Sequence, residues 1–313
     1  MKAYNDVIKY ILDHGYMTEP TRTGSRTLIV HPMQMSHDLA NGFPILTTRK
    51  INFHAIAVEM DGYLKGITDK KWYQDNGCSF WNEWCNRNVL NIRMGQMELK
   101  DKSDEEIDKI RKETQIDERD IFSGYGWEWL HWGQTYTGYT HQHEQYDVLM
   151  NNYAGKGINQ IQKAVDTLKK APLDRRALVI AHDPKNEAAY AIPPCMYTFQ
   201  FYSHDAKRLN MVYTMRSNDM ALGGANDFPS NALLLTLVAR ALEMEPGMLT
   251  ASISIPHIYE AHIGKLREQI QRTEFPLPTL ELDEGIDCFN FDYQRARLLN
   301  YQHHKHISFD RSV

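Results

Sequence analysis

Apolar residues recur at Val7, Ile8, Ile11 and Leu12 with the period of an amphipathic helix, and turn-prone residues follow from Thr21 to Ser25. The pattern predicts a helix that opens the domain. After the Gly42-Phe43-Pro44 turn, residues 55–64 read as a mostly apolar helix that carries Glu59 among Ile56, Val58 and Met60, a carboxylate expected to be half buried. Residues 178–181, 197–202 and 209–215 read as strands, the last alternating Leu209, Met211, Tyr213 and Met215 on one face. Residues 222–227 read as a loop, and 232–242 are apolar nearly all round, as a buried helix would be. Another strand is expected over 250–256, alternating Ala251, Ile253 and Ile255, and a helix over 260–272 ends before Pro276 and Pro278.

Strands interleave with helices without strict alternation, and the sequence has no internal repeat, low-complexity tract or Gly/Ser linker. A single α+β domain over 1–313 is expected. The run Lys100-Asp101-Lys102-Ser103-Asp104-Glu105-Glu106 is dense in charge and poor in apolar residues, which marks about 86–120 as a surface insertion. With 42% hydrophobic residues, 313 residues can bury an ordinary core. The 35 Lys+Arg against 40 Asp+Glu give a net charge of -5, so no global basic field points to DNA, and any phosphate must meet a local cluster. No segment approaches a membrane span or a signal peptide, and Cys78, Cys85, Cys195 and Cys288 form no CxxC pair. These features predict a cytoplasmic protein without membrane, disulfide or zinc.

Two prolines stiffen the backbone ahead of Cys195, where a rigid element could hold a nucleophile; a buried cysteine used as a small hydrophobe is the competing reading. Nearby Arg175, Arg176 and Arg216 would favour the thiolate. With Arg22 they also offer planar forks suited to a phosphate dianion. Ser217 and Asp219 add a hydroxyl and a carboxylate at a strand end, Gly223-Gly224 lets backbone approach a ligand, and His257 and Tyr259 could bind sugar hydroxyls. The histidines at 141, 143, 303, 304 and 306 lack cysteine or carboxylate partners at ligand spacing, so no metal is expected. Six tryptophans, Trp81 among them, could be core or could wall a pocket for a flat ligand.

In chain order, Thr21-Arg22-Thr23-Gly24, residues 42–50 and 59–66, Phe80-Trp81-Asn82-Glu83-Trp84 and Gly124-Tyr125-Gly126 resemble the thymidylate synthase family. The resemblance continues through Asp174-Arg175-Arg176, Pro193-Pro194-Cys195, Gln200-Phe201-Tyr202, Arg216-Ser217-Asn218-Asp219, Leu222-Gly223 and His257-Ile258-Tyr259. It implies a bent mixed sheet with surrounding helices, packed back to back in a homodimer. It implies a pyrimidine nucleoside monophosphate gripped by Arg22, Arg216 and Ser217, with Arg175 and Arg176 donated across the interface. It implies Cys195 as the nucleophile that adds to pyrimidine C6, which makes C5 reactive toward the one-carbon unit of the co-substrate 5,10-methylenetetrahydrofolate. Glu59 and Tyr125 would handle protons and ordered water, His257 and Tyr259 the 3′-hydroxyl, and Trp81 and Asp219 the folate.

Two departures stand out. Family synthases carry a uracil-reading Asn where counting from Leu222-Gly223 gives Asp227, and His where this chain has Met196. An ionised carboxylate would face uracil O4 lone pair to lone pair but accepts from the cytosine amino group and would stabilise a proton gained at N3. A one-residue shift would instead make Asn226 the reader. Asp227 and Met196 together resemble the dCMP hydroxymethylase branch, in which water rather than hydride quenches the methylene intermediate. In that branch the products are 5-hydroxymethyl-dCMP and tetrahydrofolate, which implies either DNA modification, as in a phage, with the host cytoplasm as the setting if phage-encoded, or a nucleoside biosynthetic pathway. The altered tail 301–307 suggests a looser closing segment that admits water. Reductive methylation of dUMP, hydroxymethylation of dUMP or CMP, and a relative that binds nucleotide or RNA without turnover remain open.

Overall fold

A computed structural model describes residues 1–20, 24–82, 103, 105, 106, 109, 119–121, 123–134, 136, 155–190 and 192–310. Arg22 and nearly all of the expected insertion lie outside the described residues. The chain forms two compact units: Met1–Met60 with Ala164–Val179 and Cys195–Val313, and Asp61–Lys163 with Ile180–Pro194.

In the first unit, α1 (Lys2–His14) buries Tyr4, Val7, Ile8, Ile11 and Leu12 as its period predicts, and ends where Gly15 N–H bonds Ile11 O. A five-stranded mixed sheet has the order β3 (Met33–Asp38), β8 (Glu245–Ile253), β6 (Arg208–Met215), β5 (Met196–Tyr202), β4 (Leu178–Ile180). β8 runs antiparallel to β3 and parallel to β6, while β5 is antiparallel to β6. Register shifts at Met196/Thr198 and Leu209/Met211 interrupt the ladders and bend the sheet. Leu209, Met211, Tyr213 and Met215 are all buried, joined by Phe199, Phe201, Leu249, Ala251 and Ile253. The long helix α6 (Gly223–Ala241) packs on β6 and β8 and is apolar around most of its surface.

A second sheet orders β1 (Tyr16–Met17), β2 (Thr27–Ile29), β9 (Pro256–Tyr259) and β7 (Asn218–Asp219). The strand expected over 250–256 is therefore two strands, and Ile255 between them is 48% exposed instead of belonging to the buried alternation. The helix expected at 260–272 is a short 3-10 turn followed by α7 (Ile263–Gln269).

The loop expected at 222–227 is corrected: α6 begins at Gly223 and runs through Pro229. Glycines, Asn226, Asp227 and a proline suggest a loop by local propensity, but packing on the sheet outweighs that preference. Asn226 and Asn231 amides also bond the carbonyls of Leu222 and Asp227, each at 2.8 Å, within the same turns.

In the second unit, α2 (Phe53–Lys65) contributes its last turn, followed by α3 (Lys70–Asp75), α4 (Tyr125–Leu130) and the first turn of α5 (Gln160–Lys170). Buried Asp69 caps α3 through Lys71 N at 2.9 Å and forms an ion pair with Arg119. Asp120 is also buried, accepting from Tyr136 at 2.6 Å. The end of the expected insertion at 119–120 is thus core of this unit. Carboxylates with dedicated partners fill buried positions here.

Candidate functional site

Cys195 precedes β5, and its carbonyl accepts from Arg216 N at 2.8 Å, so the two residues face each other across the β5–β6 pair. This register brings the Arg216 guanidinium to 3.8 Å from Cys195 Sγ. Burial pushes the thiol up, Arg216 opposes that shift, and the carboxyl of Asp227 adds to it. The sheet thereby supplies a half-buried thiol and a cation that favours its thiolate.

Asp227 lies in the second turn of α6. Burial, Glu59 and Asp219 push its carboxyl up to about 8, against the pull of a 3.0 Å hydrogen bond from Asn218 Nδ2 to Oδ2. It is therefore a neutral acid at pH 7 and not the ionised group the sequence suggests. Asn226 turns its amide back to Leu222 O, which leaves Asp227 as the residue of this pair that meets the Cys195 field. Glu59 is half buried on α2, as expected, and Met196 is buried.

β7 and β9 run parallel, with Asn218 N bonded to Ile255 O at 3.1 Å and Met220 N to His257 O at 2.9 Å. The pairing sets Ser217 Oγ 3.4 Å from His257 Nδ1, with the Tyr259 ring 5.3 Å beyond the imidazole. Burial lowers the affinity of His257 for a proton while Asp219 raises it. Asp219 accepts from Ala221 N at 2.9 Å and stands 3.9 Å from His262 Nδ1; burial drives its carboxyl up, and His262 and His257 oppose that.

Two residues without an expected role hold the turn between β7 and α6. Buried Arg49 donates to Ala221 O and lies 4.6 Å over the Phe309 ring, and Tyr4 Oη donates to Met220 O at 2.5 Å. Arg49 belongs to residues 42–50, a segment that carries the resemblance without assigning it a role; its signal is a cation that follows a run of apolar and hydroxyl side chains.

Arg175 and Arg176 lie on the turn between α5 and β4, both exposed, with Arg176 paired to Asp174 at 2.5 Å. Trp81 and Tyr125 belong to the second unit, where Tyr63 stands 6.5 Å from the Trp81 ring and 5.4 Å from that of Tyr125. Buried Trp81 Nε1 has no hydrogen-bond partner among the described residues. The rings of Tyr63, Trp81 and Tyr125 form an aromatic cluster in this unit. Among the described residues no three His, Cys, Asp or Glu side chains gather as metal ligands, and no helix is long and apolar enough to cross a membrane.

The tail is not loose over 301–310. Tyr301 Oη donates to Leu46 O at 2.7 Å, His304 N to Thr47 O at 2.9 Å and Lys265 Nζ to Ser308 O at 2.8 Å, while His262 Nε2 meets Asp310 O at 2.8 Å. These bonds withdraw the support that a loose tail would give to a water path.

Comparison with known proteins agrees with this geometry. The sequence model of the family described as thymidylate synthase matches residues 2–313. A thymidylate synthase of Mycoplasma genitalium is 31% identical over 309 residues, covering 98% of each chain.

Proposed function

The chain belongs to the thymidylate synthase family, enzymes of folate-dependent one-carbon transfer to a pyrimidine nucleotide, and on that premise we propose that its nucleotide is dCMP and its product 5-hydroxymethyl-dCMP. The observation that carries the proposal is the half-buried Asp227 carboxyl, held by Asn218 Nδ2 at 3.0 Å and set in the field of the Cys195 thiol, with burial and Glu59 pushing its titration up to about 8. When the Cys195 thiolate adds to C6, the C5=C6 electron pair moves toward C4 and the C4=N3 pair moves onto N3. That nitrogen needs a proton, and the Asp227 hydroxyl holds one. The carboxylate left behind then accepts from the new N3–H, a charge-assisted bond absent before addition, which stabilises the adduct more than the bound substrate.

5,10-Methylenetetrahydrofolate supplies the one-carbon unit that C5 receives. Trp81 borders its ring system and Asp219 helps to orient it. Arg22, Arg216 and Ser217 hold the nucleotide phosphate, His257 and Tyr259 the 3′-hydroxyl, and Glu59 and Tyr125 manage protons and water. The working form is a homodimer in which Arg175 and Arg176 of one protomer complete the phosphate site of its partner, in keeping with their exposure on a single chain. One catalytic domain comprises both compact units. Water completes the reaction, with tetrahydrofolate as the second product.

Asp227→Asn tests the reading. An amide that accepts from N3–H and donates to O4 should transfer preference to dUMP, and dCMP turnover should fall about 10³-fold or more, since mismatched buried polar readers cost that order of selectivity. Unchanged dCMP turnover in the folded variant would exclude Asp227 as the reader.

A further inference from the structure

A neutral carboxyl creates a problem of selectivity. It has one donor and one acceptor, and these can exchange by moving the proton from one oxygen to the other. With the hydroxyl opposite N3 it matches cytosine, donating to N3 and accepting from the amino group. With the hydroxyl opposite the C4 substituent it matches uracil, accepting from N3–H and donating to O4. A carboxyl whose proton is unconstrained therefore reads both bases.

Asn218 removes this freedom. It is 4% exposed and sits on β7, whose backbone is pinned to β9. Its Nδ2 donates to Asp227 Oδ2 at 3.0 Å and meets Met215 Sδ at 2.7 Å. The thioether is only an acceptor, so it fixes the amide with nitrogen toward Asp227 and oxygen away. That oxygen, Oδ1, is buried without a hydrogen-bond partner among the described residues, a cost retained for the sake of the other end of the amide. Backbone without side chains closes around the pair. A Cβ on Gly223 would stand 3.1 Å from Asp227 Oδ2 and 3.2 Å from Asn218 Oδ1, and one on Gly224 would stand 3.1 Å from Asn218 Oδ1.

We propose that Asn218 is a specificity-determining positioning residue: by donating to Oδ2 it makes that oxygen the carbonyl, confines the hydroxyl of Asp227 to Oδ1, and so lets the acid read one base instead of two. The inference rests on Asp227 as base reader. If dCMP is the substrate, Oδ1 is the oxygen that meets N3.

The test is the ratio of kcat/KM for dCMP to that for dUMP, measured on the full-length enzyme and on Asn218→Ala and Asn218→Asp. Both variants remove the fixed donor, and the second keeps the shape of the side chain if the first does not fold. The ratio should move at least about tenfold toward one, the worth of one hydrogen bond to a charged or strongly polarised group. A purely structural role would lower both activities together and leave the ratio alone, and a ratio within about twofold of wild type in a folded variant overturns the proposal. Wild-type preference for dUMP would refute the choice of dCMP above, whereas a ratio that still collapses toward one would uphold the role of Asn218.

Discussion

Asp227 is governed by burial. Burial and the charges of Glu59 and Asp219 outweigh the hydrogen bond from Asn218, and its titration therefore moves up to about 8. The sign of the consequence follows from linkage: the folded protein holds this proton more tightly than the unfolded chain, so the associated stability is present at acid pH and is lost as pH rises through about 8. In the proposed reaction the same proton serves N3 of the pyrimidine. For dCMP, kcat/KM should accordingly fall tenfold per pH unit above about 8, with a limb that disappears in Asp227→Asn; a pH profile of kcat/KM, which reports the free enzyme, checks this. The sequence names the residue but not its charge state, because charge depends on neighbours from three separate elements, α2, β7 and the start of β5.

At the level of elements, the start of α6 decides where Asp227, the proposed base reader, sits. Its register follows from a turn in which Arg49 and Tyr4 hold the carbonyls of Ala221 and Met220, and in which glycine permits close approach. Gly223→Ala would place a methyl 3.1 Å from Asp227 Oδ2, so the variant should fold normally yet lose about tenfold in dCMP kcat as the carboxyl shifts by a few tenths of an ångström. Steady-state kinetics beside a melting curve separate the two effects. Periodicity made α1, the last three strands of the large sheet and the apolar part of α6 legible, since each buries one regular face. It could not reveal β1, β2 or β7, whose two or three residues are held by pairing, β2 and β7 on β9 and β1 on β2, and not by an alternation of their own. The first two turns of α6 stayed hidden because Gly223, Gly224, Asn226, Asp227 and Pro229 all disfavour the helix that tertiary packing imposes.

Across the whole molecule, the two units differ in how they are stabilised. The first has an apolar core between sheet and helix, whereas the second buries a polar network centred on Glu128, which lies between Trp127 and Trp129. Glu128 Oε1 accepts from Tyr190 Oη at 2.9 Å and Asn186 Nδ2 at 3.0 Å, and Oε2 is buried without a partner among the described residues. Burial pushes its carboxyl up to about 7, so its contribution to stability is complete below the unfolded value of 4.5 and is lost as pH rises through about 7. Glu128→Gln should flatten the decline in stability between pH 5 and pH 8 by about 2 kcal/mol, measured by denaturant unfolding of both proteins across that range. Motif order carried the family directly, and it singled out Cys195 and Arg216, which flank the paired ends of β5 and β6, together with Asp227 on α6 and His257 on β9. Glu128, Arg49 and Asn218 were visible only as polar letters in apolar or motif-rich stretches, without partners to give them meaning.

The measurement that tests the central claim most directly is product analysis. The protein is incubated with 5,10-methylenetetrahydrofolate and an equimolar mixture of dCMP, CMP and dUMP, the nucleotide product is identified by mass, and dihydrofolate is followed by absorbance. The account predicts dCMP gaining the mass of a hydroxymethyl group with no dihydrofolate formed. Methylated dUMP with stoichiometric dihydrofolate would contradict it.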